Sequence, residues 1–252
     1  MSVAEFAKEP LTEVVFGVEF NALEFSSVHF GLYWKAIEEW FPNKPLDRPP
    51  IGEVELFNIL PTLRRVWFES EDKKQLIQLQ ANRFHYNWRR QSQDEKYPHY
   101  DDIYPKFIEE WNRFQDWWTA TEGTPLQPIR YELTYLNQID KEFGWSGEDD
   151  YHKVFSIIDH SWSNLSARSN AFNCNIAFAL PENQGSLTVK IDQGIKPKEN
   201  SPVVIFNLTA SHDDTNTDIE EWFELAHESI VNIFLSLISQ EAKEKWGFKW
   251  LR

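Results

Sequence analysis

A chain of 252 residues with 41% hydrophobic and 15% aromatic side chains has ample material for a packed core, which excludes intrinsic disorder. Its formal charge of -15 is spread along the length; such a field repels phosphate backbones and disfavours nucleic acid, while suiting a basic partner, a DNA-mimicking role or a plain acidic surface. Cys174 is the one cysteine, so no intrachain disulfide or multi-cysteine zinc site can be built.

In chain order, the stretch before Val14 lacks a basic region followed by an apolar run, and no run of ~18 apolar residues occurs anywhere. A cytoplasmic protein outside the membrane is expected. Val14 to Phe20, rich in β-branched and aromatic residues, predicts a strand. Val28 to Phe41 follows with helical spacing of Phe30, Trp34, Ile37 and Phe41. A proline-punctuated connection holds a weak edge-strand candidate, Glu53 to Ile59. Arg64 to Glu69 and Gln75 to Gln80 are further strands. In LIQLQ the apolar positions are odd (Ile77, Leu79), whereas in FHYNW the aromatics Phe84, Tyr86 and Trp88 are even. That change of phase requires a turn or bulge near Ala81–Arg83, read as a hairpin. Asp101 to Ala120 carries a helical stripe from Ile103 to Trp118, with Pro105 expected in its first turn.

The same order then returns. Pro128 to Ile139 predicts a strand and Asp149 to Ile158 a helix; Asn170 to Leu180, Ser186 to Gln193 and Val203 to Ser211 are three strands; Asp218 to Ser239 is a helix capped by Thr217 or Asp218. The halves 1–125 and 126–252 therefore each read β-α-β-β-β-α. The predicted fold class is α+β: two successive units packed as one compact body, with an antiparallel sheet of about eight strands and helices on one face. Residue identity between the halves is weak, so the duplication rests on element order.

The signatures of common chemistry are missing. There is no glycine-rich phosphate cradle, no G-x-S-x-G and no C-x-x-C, and Val231 stands where H-E-x-x-H would need its second histidine after His227–Glu228. His212-Asp213-Asp214 can be drawn as metal ligands, but reads more simply as a polar turn whose charge favours the following helix. His227 reads as a hydrogen-bonded helix histidine, and Tyr97-Pro98-His99-Tyr100 as an aromatic loop entering a helix. No metal and no cofactor are expected.

The densest polar constellation is 83–90. Alternation places Arg83, His85, Asn87 and Arg89 on one strand face, opposite Phe84, Tyr86 and Trp88. Two guanidinium forks, an imidazole and an amide can grip a carboxylate or phosphate; the plain alternative is a row whose arginines meet nearby carboxylates. Glu132, sharing a face with Thr134, is expected opposite this row as a semi-buried partner for one of its arginines.

The same stretches carry a resemblance. RFHYNWR (83–89), YPHY (97–100), ELTYLNQI (132–139) and AHESIVNIF (226–234), with Pro10–Val14 and HFGLYW (29–34), resemble the shared blocks of a sporadically distributed bacterial family of roughly this length. WGF (246–248) departs from the family's more usual WGR. The resemblance implies a bacterial protein and, from the patchy distribution, a place among defence, toxin–antitoxin or immunity systems; it implies no reaction. The leading expectation is a non-enzymatic interaction or accessory protein whose partner is another protein, with a homodimer through Trp-rich helices as a further arrangement. The alternative is a small anionic-ligand sensor or hydrolase with a pocket between sheet and helices, using Arg83, His85, Asn87, Arg89 and Glu132.

Overall fold

The computed structural model describes residues 4–21, 25–50, 65–92, 94–158, 172–196, 199–213 and 215–250. The first half contains β2 (Leu11–Asn21), α1 (Ser27–Ile37), β3 (Leu46–Arg48), β4 (Arg65–Glu69), β5 (Gln75–Gln80), β6 (Arg83–Arg89) and α2 (Tyr100–Glu122). The second contains β7 (Gln127–Ile139), α3 (Tyr151–Val154), β8 (Asn173–Ala179), β9 (Ser186–Lys196), β10 (Ser201–His212), α4 (Ile219–Leu237) and α5 (Gln240–Lys245). A separate two-stranded ribbon joins β1 (Ala4–Glu5) to β11 (Lys249–Trp250).

The main sheet has nine strands in the order β3-β4-β5-β6-β2-β7-β10-β9-β8, every pair antiparallel. The leading long strands of the two halves, β2 and β7, lie side by side at its centre. Outward from each run the last, middle and first strands of its own meander, so the sheet order is symmetric about the β2–β7 seam. Among the described residues the short edge strand β3 has no counterpart, and it raises the expected eight strands to nine.

Side-chain alternation sorts the sheet into two unlike faces. Val14, Phe16, Val18 and Phe20 of β2 are buried on the helix side. There Phe16 stacks on Phe107 of α2 at 4.9 Å and meets Phe223 of α4 at 5.5 Å, while Phe20 meets Phe114 at 5.5 Å. Tyr33 of α1 packs edge-on against Phe68 of β4, and Phe155, just after α3, against Phe206 of β10. The helices thus share one face, and one core runs through both halves.

The phase change between β5 and β6 needs no bulge. A two-residue turn, Ala81–Asn82, pairs Ile77 with Tyr86 and Leu79 with Phe84, so odd positions of one strand meet even positions of the next. The bulges lie instead in β2 against β7, between Leu11 and Glu13 and between Glu19 and Phe20.

Several element readings change. The Asp149–Ile158 helix reduces to a 3-10 turn, Glu148–Asp150, followed by the four-residue α3. Pro105 sits inside α2, because that helix starts at Tyr100; the Asp101 carbonyl therefore has no N–H at position 105 to accept from. α1 ends at Ile37 and not at Phe41. α4 takes Asp218 as its cap, the carboxylate accepting from the Glu220 and Glu221 amides. α5 was not anticipated and is capped by Ser239. The edge-strand candidate 53–59, Arg64 and Asn170 lie outside the described residues. Among the described residues no helix is long and apolar enough to cross a membrane.

Candidate functional site

Arg83, His85, Asn87 and Arg89 do share one face of β6, and it is the face away from the helices. A pocket between sheet and helices therefore cannot be built from them: the core-forming aromatics Phe84, Tyr86 and Trp88 take that side. His85, Asn87 and Arg89 line this strand face with Glu13 and Val15 of β2, Gln78 of β5, Glu132 and Thr134 of β7, Lys190 of β9, and Asn207 and Thr209 of β10. Together they form a groove of about 570 Å³. Arg83 borders a neighbouring depression with Glu19, Arg130, Glu132 and Asp213.

Gly17 creates the floor between the two halves. It pairs with His85 on one side and with Glu132 on the other. A Cβ at this position would stand 3.0 Å from His85 Cδ2, 3.1 Å from its Nε2 and 3.3 Å from Glu132 Cβ. The expected Glu132–arginine pair does not form, because β2 lies between β6 and β7. Glu19 is the cross-strand neighbour of both Arg83 and Arg130, and it takes both guanidinium groups, at 3.1 and 3.6 Å. Arg130 also binds Asp213.

The groups left over are the informative ones. Among the described residues no hydrogen bond or ion pair reaches the His85 ring or the Glu132 carboxylate. Burial first, then the Arg83 and Arg65 charges, depress the His85 imidazole to about 3, so the ring is neutral. Burial raises the Glu132 carboxyl, opposed by Arg130 and Arg83. Asn207 Oδ1 is buried and unpartnered.

At the other end of the groove, side chains interlock across four strands. Arg65 Nη1 and Trp67 Nε1 donate to Gln78 Oε1 at 2.7 and 3.0 Å; Gln78 Nε2 donates to Asn87 Oδ1 at 2.8 Å; and Asn87 Nδ2 donates to Glu13. Arg89 binds Glu69 at 2.6 Å and the Lys73 carbonyl at 3.0 Å. Three guanidinium groups surround the Trp67 ring: Arg48 at 4.5 Å, Arg65 at 5.5 Å and Arg89 at 5.6 Å from its centroid.

Arg48 and Arg65 stand directly opposite each other on β3 and β4, an unfavourable like-charge pairing. Among the described residues neither forms a salt bridge, and Arg65 Nε is buried without a partner. Burial and the Arg48 charge both lower the Arg65 pKa. The Glu13 carboxylate opposes this shift in part, and a guanidinium pair over an indole without a salt bridge among the described residues is an arrangement suited to a planar anion.

Sequence reasoning placed Arg83, His85, Asn87, Arg89 and Glu132 on one face but missed Arg48, Arg65, Trp67 and Gln78. Alternation across the β5–β6 turn, with Gln78 opposite His85 and Trp67 opposite Gln78, was the signal that reaches three of them. Arg48 lies on a three-residue strand with no periodicity to read. The metal reading of His212–Asp214 gains nothing: His212 is buried and stacks on Trp222 at 6.4 Å, Asp213 binds Arg130, and Asp214 is outside the described residues. Among the described residues no cluster of three potential metal ligands occurs. No family model, curated protein or solved structure matches the chain.

Proposed function

We propose that the chain is a binding protein whose strand face away from the helices holds an acidic group, a carboxylate or phosphate, presented free or on an acidic segment of a partner protein. The observation that carries this reading is the Arg48–Arg65 pair over Trp67. Two like charges are held opposite each other at an edge, neither forms a salt bridge among the described residues, and the Glu13 carboxylate offsets the Arg65 charge only in part. Such an arrangement costs stability on its own and is relieved when an anion docks. Asn87 and Gln78 fix the geometry beneath it, and neutral His85 supplies a hydrogen-bonding nitrogen at the groove floor.

Calorimetry with inorganic phosphate and with a tetraglutamate peptide tests the proposal and separates its two sources. Saturable binding of either ligand is expected, weakening as salt is added. Arg65→Gln should reduce affinity about tenfold or more, the worth of a lost charged hydrogen bond. Phosphate alone indicates a small-anion sensor; preference for the peptide indicates an interaction module. Absence of heat with both ligands at low salt contradicts the proposal.

A further inference from the structure

A second cavity, about 250 Å³, lies on the helix side of the sheet, between the start of α2, the middle of α4 and the segment leading into β2. Its walls are aromatic. Tyr97 Oη meets Tyr135 Oη at 3.2 Å, and Tyr135 Oη meets His227 Nδ1 at 2.7 Å. The His227 ring lies flat on Tyr100 at 4.2 Å. Asp101, Glu224 and Glu228 line the cavity, together with Glu9, which pairs with Arg90 at 3.6 Å; no lysine or arginine lines it. Tyr100 is only 8% exposed, and its hydroxyl is buried without a hydrogen-bond partner.

We infer that this cavity is a site for a small organic ammonium ion. Tyr100 is stacked between His227 and Tyr104, so Tyr97 and Tyr135 are the rings left to attract a cation, and Asp101, Glu224 and Glu228 supply the compensating charge. A neutral ligand would gain the apolar contact alone, whereas an anion would be repelled from the mouth. The histidine does not oppose a cation, since burial depresses His227 to about 4 and leaves it uncharged at neutral pH. Burial chiefly, and secondarily the neighbouring carboxylates, hold the wall tyrosines protonated: Glu224 and Asp101 act on Tyr100, and Glu9 and Asp101 on Tyr97 and Tyr135. The site is independent of the strand-face groove, because Tyr135 and Thr134 alternate to opposite sides of β7.

The test is calorimetric titration of the full chain with choline and with 3,3-dimethylbutan-1-ol, which replaces the quaternary nitrogen by carbon at the same shape. Choline should bind saturably and at least about tenfold more tightly than the neutral alcohol. The double variant Glu224→Gln, Glu228→Gln changes only exposed positions of α4; it should keep the wild-type melting temperature and lose choline affinity by about fivefold. Tyr97→Leu should lose affinity, and Tyr97→Phe, which keeps the ring, should retain most of it. Equal binding of choline and the alcohol, no saturable heat with choline, or an unchanged affinity in the double variant would each overturn the inference.

Discussion

His85 and Gly17 are bound together by space. The glycine exists in the middle of β2 because the imidazole of the next strand leans across it, and a methyl group there would press on both His85 and Glu132. Gly17→Ala should destabilise the fold by about 1–2 kcal/mol through overpacking, read from urea midpoints, and should close the groove floor to ligands. His85 titrates at about 3 in the folded chain against 6.5 when unfolded. The unfolded state thus binds the extra proton first, so this group's stability contribution is full above pH 6.5 and is lost as pH falls toward 3. His85→Gln should flatten stability across that window. Glu9 shows the opposite sign: burial, partly offset by Arg90 and Lys96 and reinforced by Glu5, pushes its carboxyl up to about 7 from 4.5. Between those values the folded state holds the extra proton, so stability declines as pH rises from 4.5 to 7. Glu9→Gln should therefore be more stable than the wild type at pH 8, by at most about 3 kcal/mol. A Glu9→Gln variant no more stable than the wild type at pH 8 would refute the assignment.

At the level of elements, the strands were legible because their alternation is strong and their turns are marked by polar or glycine residues. Gln75–Gln80 has the predicted bounds, while Leu11–Asn21 and Ser201–His212 extend the predicted strands into polar ends that carry no apolar period. The failed helix, 149–158, shows the limit of periodicity. Tyr151, Val154, Phe155 and Ile158 mark one face, but Phe155 is extended and bridges to Ile238, so a β contact with the segment after α4 replaces the last helical turns. What could not be read was which strands adjoin. Placing β2 between β6 and β7 gives Arg83 to Glu19 and leaves Glu132 without the arginine expected for it. The β8–β9 hairpin offers a local test. Gly185 has φ +105, and a Cβ there would lie 2.0 Å from the Ser211 carbonyl oxygen. Gly185→Ala should cost about 2 kcal/mol or more, and a variant melting with the wild type would show that the turn is not held as described.

For the whole molecule, the symmetric sheet order fits two similar units, yet the halves share their interior. Phe16 of the first half packs on Phe223 of the second, and Tyr100 on His227. Because this apolar interior is shared, heating should give a single transition, coincident by calorimetry, circular dichroism and tryptophan fluorescence. Two separated transitions would mean the shared core does not couple the halves. The two faces also differ in chemistry: the strand face mixes guanidinium groups with carboxylates such as Glu13 and Glu132, whereas carboxylates line the helix-side cavity without lysine or arginine. Sequence alternation foretold the first face in part; the second depends on contacts between residues as far apart as Tyr135 and His227. The most direct measurement is an NMR titration of the ¹⁵N-labelled chain with inorganic phosphate and tetraglutamate, followed at the Trp67 indole and the Arg65 and Arg89 Nε–H signals. Saturable shifts at these groups with at least one of the two ligands, abolished by Arg48→Gln with Arg65→Gln, are predicted. Silent signals, or shifts that persist in the double variant, would contradict an acidic ligand on the strand face.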